Sequence, residues 1–192
     1  FCRSFTRWRT GLQAARSPCM TGWIEYAAAW ACFLGAHLVP MLPGPRARLV
    51  ARLGRRGYLA AFSLLSIGLL FWLILAAGRA PYVHLWDQPG WSRWLVNMAM
   101  PAAILLAALS RGMSGLVAAF ALWAGAHLVA NGDLAHAVFF GGMGVFAVSG
   151  LARSGLPKVF RVTWRRILLA VLVWAALLHL HPLLIGVSPL PA

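Results

Sequence analysis

Six long apolar runs, separated by short polar segments, make up most of the chain. They cover residues 22–43, 58–77, 94–110, 113–131, 133–151 and 167–187. A transmembrane helix needs roughly 20 apolar residues to cross the hydrocarbon core, and each run is close to that length. Lipid offers the backbone no hydrogen-bond partners, so a spanning segment is a helix or part of a closed barrel. The alternation typical of a barrel is missing from the sequence. The pattern therefore predicts an all-α, polytopic membrane helix bundle of about six transmembrane helices.

The positive charge is concentrated in two of the segments between these runs. The net charge is +14, although only 10% of the residues are charged. The two basic segments contain Arg46, Arg48, Arg52, Arg55 and Arg56, and Arg153, Lys158, Arg161, Arg165 and Arg166. Because Lys and Arg accumulate in cytoplasmic loops, both segments are predicted to face the cytoplasm and both termini to face away from it. The charge thus indicates topology rather than nucleic-acid binding, and membrane lipid is the expected partner.

The first 19 residues do not fit this topology. They add four arginines to the outer side and contain no apolar core typical of a signal peptide. Met20 then begins a segment, MTGWIEYAAAW, whose charge fits the scheme. We expect residues 1–19 to be a basic leader or upstream translation, and residues 20–192 to form the membrane domain.

Two connecting segments have a predictable local structure. The sequence PGPRARLVARLGRRGY begins with prolines, which suit the first turn of a helix, and then mixes arginines with apolar residues. It predicts a short interfacial helix whose arginines touch anionic head groups. The sequence Asn131-Gly132-Asp133 predicts a tight helical turn, with Asn131 and Gly132 ending one helix in a left-handed conformation and Asp133 capping the next.

Two histidines lie inside apolar runs, and they are the best candidates for chemistry. His37 and His127 both occupy segments without Lys or Arg, and ionisable residues inside a membrane are usually functional. Neutral imidazole is a common ligand of haem and transition metals. The alternative is a structural histidine that hydrogen-bonds to a helix backbone. His136, His179 and His181 lie near the ends of their runs and are further candidates.

Several blocks of sequence resemble the NnrU family of bacterial membrane proteins. They are HLVPMLPGPRARLVARLGRRGY, GRAP followed by LWDQPGW, LWAGAHLVANGDLAHAVFFGG, and the closing HPLLIGVSPL. The resemblance covers about residues 20–190. It implies a bacterial inner-membrane protein associated with denitrification, acting in nitrite and nitric oxide metabolism, with other denitrification membrane proteins as partners. The family is similar in turn to 15-cis-zeta-carotene isomerase, which implies haem b with His37 and His127 as iron ligands.

The resemblance leaves three functions open. The first is haem-dependent chemistry or sensing in nitrite and nitric oxide metabolism. The second is a haem-dependent isomerase that acts on a polyene such as a carotenoid. The third is a non-catalytic assembly partner of the denitrification machinery, in which the histidines only form hydrogen bonds. Whether the protein is an enzyme is therefore open at this point.

The predicted depths of the two histidines differ. His37 lies 12 residues after Glu25, which is about 18 Å of helix from the outer surface. His127 lies four residues before Asn131, which is about 6 Å from the same surface. By depth alone, His136, His179 or His181 would suit His127 better as a second ligand.

The predicted topology can be tested with reporter fusions. Alkaline phosphatase, which is active only outside the cytoplasm, is expected to be active when fused after Ala192 and inactive when inserted in the basic segment 46–56. A green fluorescent protein fusion should give the opposite result at both sites. Active phosphatase in segment 46–56 would contradict the assignment of that segment to the cytoplasm.

Overall fold

The structure is a computed structural model, and it describes residues 18–190. Within them, the chain forms six long helices and no strand of a sheet, and a short 3₁₀ turn, Val39–Met41, follows the first helix. The helices are α1 Pro18–Leu38, α2 Pro43–Arg79, α3 Ser92–Leu109, α4 Met113–Ala130, α5 Leu134–Ser154 and α6 Trp164–Ile185. All six are long and apolar enough to cross a membrane. The predicted all-α, multi-pass membrane architecture is confirmed. The predicted leader lies almost entirely outside the described residues and stays a prediction.

The chain divides into two compact units, the first ending at Tyr82 and the second beginning at Val83. In the first unit, α1 and α2 pack against each other. Gly22, near the start of α1, lies against Arg79 at the end of α2, so a Cβ added there would be 2.6 Å from the Arg79 carbonyl oxygen. The two helices are therefore antiparallel, and the close contact at Gly22 requires a residue without a side chain.

A charged residue joins the two helices of the first unit. The carboxylate of Glu25 on α1 accepts hydrogen bonds from Trp72 Nε1 at 3.2 Å and Arg79 Nε at 3.0 Å. It also forms an ion pair with Nη2 of Arg79. An acidic residue within an apolar helix is costly unless it is paired. Trp72 and Arg79 supply that pairing from α2.

Helix α2 contains a break at Gly54. The backbone of Gly54 has φ 67° and ψ 163°, which is not helical. This region of conformational space is essentially restricted to glycine. An unbroken helix of 37 residues would be about 55 Å long, well beyond the roughly 30 Å of a hydrocarbon core. The break therefore divides α2 into a basic segment, residues 43–53, and an apolar segment that follows it.

In the second unit, α4 packs between α3 and α5, and α6 packs against α3. The buried positions on these helices are mostly small. They include Ala99, Ala103, Ala119, Ala124, Ala126, Ala135, Ala147 and Ala170. Small residues allow membrane helices to approach closely, and van der Waals packing then holds them together.

Extended segments pair at both ends of α4. At one end, Leu85 N donates to Gly132 O at 2.8 Å, and Leu134 N donates to Val83 O at 2.9 Å. At the other end, Ser110 and Phe160 form an isolated antiparallel bridge. These bonds attach the loop before α3 and the loop before α6 to the two ends of α4. The sequence did not predict this pairing, because each bridge joins segments far apart in the chain.

The turn between α4 and α5 is partly as predicted. Asp133 is the N-cap of α5 and accepts a hydrogen bond from His136 N at 3.1 Å, so the predicted cap is confirmed. The predicted left-handed conformation is wrong, because Asn131 has φ −130° and Gly132 is not among the glycines with positive φ. Gly132 is required for another reason: a Cβ there would overlap the carbonyl oxygen of Trp86.

Gly132→Ala is expected to lower the free energy of unfolding by roughly 1–3 kcal/mol, the usual range for overpacking, because the added methyl group collides with the Trp86 backbone. Thermal unfolding in detergent, followed by tryptophan fluorescence, measures the change. Gly125→Ala inside α4 is the matched control, since an added Cβ there meets no neighbouring atom within 4 Å. The control should keep its stability or gain up to about 1 kcal/mol. Equal stabilities of the two variants would contradict the close contact at Gly132.

Candidate cofactor site

His127 lies in the last turn of α4, and its ring is tied to its own helix. Nδ1 lies 2.9 Å from the carbonyl oxygen of Trp123, four residues earlier. One face of the ring stacks on Phe140 of α5, with centroids 5.1 Å apart and an interplanar angle of 29°. The Trp123 ring is also in contact, at 5.5 Å. The imidazole is thus held in an aromatic environment between α4 and α5.

His37 has the same local arrangement in the last turn of α1. Its Nδ1 lies 2.7 Å from the carbonyl oxygen of Phe33, again four residues earlier. Its ring contacts Phe33 at 4.2 Å and Phe62 of α2 at 5.4 Å. Each of the two histidines predicted from the sequence is therefore bonded to its own helix and surrounded by aromatic rings.

These hydrogen bonds determine which ring nitrogen carries the proton. A carbonyl oxygen only accepts hydrogen bonds, so Nδ1 of His37 and of His127 must be the protonated donor. In a neutral imidazole the other nitrogen, Nε2, then has an available lone pair. Metal-binding histidines commonly use this arrangement, in which a backbone carbonyl fixes the tautomer and the ring orientation. The donor chemistry of both residues therefore fits a haem iron.

One of the alternative histidines, His136, lies close to His127 in the second unit, because both rings stack on Phe140. Nδ1 of His136 donates to Asp133 Oδ2 at 2.7 Å, and its ring stacks on Phe140 at 6.2 Å. Nδ1 of His181 lies 2.7 Å from the carbonyl oxygen of Val187. His179 is exposed. His136 thus shares the neighbourhood of His127, whereas His37 belongs to the first unit.

The arrangement does not resemble a site for a bare metal ion. Among residues 18–190, no three or more His, Cys, Asp or Glu side chains form a group able to hold one. A haem iron needs only one or two protein ligands. The exposed pair His84 and Asp87, 3.4 Å apart, adds no further ligand.

The aromatic partners were missed by the reasoning from sequence. Phe33 precedes His37 by four residues, Trp123 precedes His127 by four, and Phe140 follows His136 by four. Residues at this spacing are neighbours on one face of a helix. The recurrent spacing is therefore a sequence signal from which these contacts could have been found.

The tautomers can be measured on haem-free protein. In a sample labelled with ¹⁵N-histidine, His37 and His127 are expected to show a protonated Nδ1 and an unprotonated Nε2, because each Nδ1 bonds to a carbonyl oxygen. The two signals are assigned by their loss in His37→Gln and His127→Gln. A protonated Nε2 with an unprotonated Nδ1 at either residue would contradict the hydrogen bond described for that residue.

Comparison with known proteins gives a match to a protein family. The profile of the NnrU protein family matches residues 25–189, which include parts of all six helices and the histidines described above. Neither a curated protein nor a solved structure matches the chain. Because the family match covers most of the sequence, the chain belongs to the NnrU protein family.

Proposed function

We propose that this NnrU-family membrane protein binds haem b and acts in bacterial nitrite and nitric oxide metabolism. His127 and His37 would hold the haem iron, each through Nε2. One observation carries the proposal: both histidines donate Nδ1–H to the carbonyl four residues earlier, at 2.9 Å and 2.7 Å. This bond gives each Nε2 the lone pair that an iron requires.

The surrounding residues support the ligand role. The carbonyl oxygens of Trp123 and Phe33 hold the two rings in a fixed orientation and increase the basicity of Nε2. Phe140 and Phe62 provide an apolar surface beside the rings, which limits access of water. Apolar surroundings of this kind also tune the potential of a bound iron. When bound, haem b would supply one-electron redox chemistry.

Membership of the NnrU family supports the proposed role in nitrite and nitric oxide metabolism. The family resemblance implies an inner-membrane location and a role in denitrification, with other membrane proteins of that process as partners. Nitrite and nitric oxide are small molecules whose conversion involves single electrons. A haem in apolar surroundings is suited to such substrates, because the polarity and hydrogen bonding of the haem pocket control their access.

An absorption spectrum of detergent-purified protein, produced with haem supplied and then reduced with dithionite, tests haem binding. The wild type is expected to show a Soret band that shifts on reduction. His37→Ala and His127→Ala should each lose most of that band, because each removes an axial ligand. His179→Ala is the matched control: this histidine is exposed, and its variant should keep the wild-type spectrum.

Other spectra would correct or overturn the proposal. Loss of the band in His127→Ala but not in His37→Ala would exclude His37 as a ligand and direct attention to His136 and His181. A colourless wild type would overturn haem binding and favour a non-catalytic assembly partner.

Nitric oxide tests the proposed metabolic role separately. Anaerobic addition of nitric oxide to the dithionite-reduced protein should shift the Soret band at micromolar concentrations, because nitric oxide would replace one of the two histidines on the iron. Carbon monoxide serves as a comparison ligand without a role in denitrification. If nitric oxide does not change the spectrum, a direct role of the protein in nitric oxide metabolism is contradicted. The proposal of haem binding is not affected by that result.

A further inference from the structure

The segment of residues 43–53 is a helix bounded by two breaks in the backbone. Before it, Leu42 has an extended conformation, with φ −88° and ψ 116°. After it, Gly54 has φ 67° and ψ 163°, a conformation that L-residues rarely adopt. A transmembrane helix needs neither break. Because of the two breaks, the helix axis of this segment need not follow that of α1 or that of the apolar part of α2.

The segment and the two residues after the break carry a dense positive charge. Arg46, Arg48, Arg52, Arg55 and Arg56 are all exposed. The segment contains no Asp or Glu, and within residues 18–190 none of these arginines forms an ion pair with a carboxylate. Five exposed guanidinium groups in so short a stretch form a strongly positive surface that attracts anions.

The same helix also presents an apolar stripe. Leu49 and Leu53 lie one turn apart on one side and are 36% and 50% exposed. Arg48 and Arg52 lie one turn apart on a different side, about 100° around the helix from Leu49 and Leu53, given 3.6 residues per turn. Exposed leucines on one side of a helix and exposed arginines on another are typical of helices that lie in the membrane interface, with the apolar face among acyl chains.

We propose that residues 43–56 form an interfacial docking site for anionic phospholipid head groups. Leu49 and Leu53 enter the acyl boundary, while Arg48 and Arg52, with Arg46 beside the stripe, bind head-group phosphates. The apolar part of α2 begins at Tyr58, four residues after Gly54, so covalent continuity holds the segment at the bilayer surface. A soluble acidic protein would neutralise the arginines but would not explain the leucines. The lipid accounts for both.

Binding of defined lipids to the full-length protein in neutral detergent tests this proposal. Native mass spectrometry would count bound phosphatidylglycerol, with phosphatidylcholine and inorganic phosphate as comparison probes. The wild type should bind phosphatidylglycerol at least about tenfold more tightly than phosphatidylcholine, because each arginine near an anionic surface contributes about fivefold in affinity. The triple variant Arg46→Gln/Arg48→Gln/Arg52→Gln should lose about tenfold or more of that affinity.

Three controls separate this site from general charge and from misfolding. Arg46→Lys/Arg48→Lys/Arg52→Lys keeps the charge and should keep lipid binding. Arg153→Gln/Lys158→Gln/Arg161→Gln removes the same charge outside the 43–56 segment and should lose less than about threefold, because these residues lie outside the interfacial helix. Thermal unfolding of each variant without lipid should match the wild type.

Three results would overturn the proposal. The first is equal affinity for the two lipids, and the second is an equal loss in the two glutamine variants. The third is competition by millimolar inorganic phosphate, which would identify a site for free phosphate instead. None of these measurements depends on haem.

Discussion

The hydrogen bond from a side chain to a carbonyl of its own helix is the constraint on which the arrangement of His37 and His127 depends. In hydrocarbon a polar group finds no water, and leaving it unpaired costs several kcal/mol, of order 4–8 for transfer to an alkane. The nearest acceptor is the carbonyl one turn back. His37 and His127 use it, as does Asn131, whose side chain donates to the His127 carbonyl at 2.7 Å. A bond required for stability therefore also determines the histidine tautomer, and with it the nitrogen that can bind a metal.

The architecture was predictable because the membrane limits the choices so strongly. Length and apolarity alone identified all six spanning helices, since each must cross the same thickness of hydrocarbon. The long-range contacts were not predictable in the same way. The Glu25–Arg79 ion pair joins residues 54 positions apart, and the two β-bridges join loops that no local pattern relates. The helix break at Gly54 was not predicted, because nothing in the sequence distinguishes this glycine from the others. Its backbone conformation is seen only in the structure.

The candidate site was only partly predictable from the sequence. Hydropathy identified His37 and His127, because an ionisable residue in an apolar run is conspicuous. It did not provide their hydrogen-bond partners or tautomers, which depend on side-chain orientation. Gly132 shows the same limit: the turn was recognised, but its physical reason is the contact with the Trp86 backbone. Local rules correctly located these residues, whereas contacts between segments determine what they do.

The most direct test of the central claim is an electron paramagnetic resonance spectrum of the oxidised, haem-loaded protein at low temperature. Two imidazole ligands impose a strong ligand field on ferric iron, so we expect a low-spin signal. Preparing the protein with ¹⁵N-histidine should change the nitrogen couplings of that signal, because both axial ligands are histidine nitrogens. A predominantly high-spin signal, or couplings unaffected by the label, would contradict ligation by two histidines.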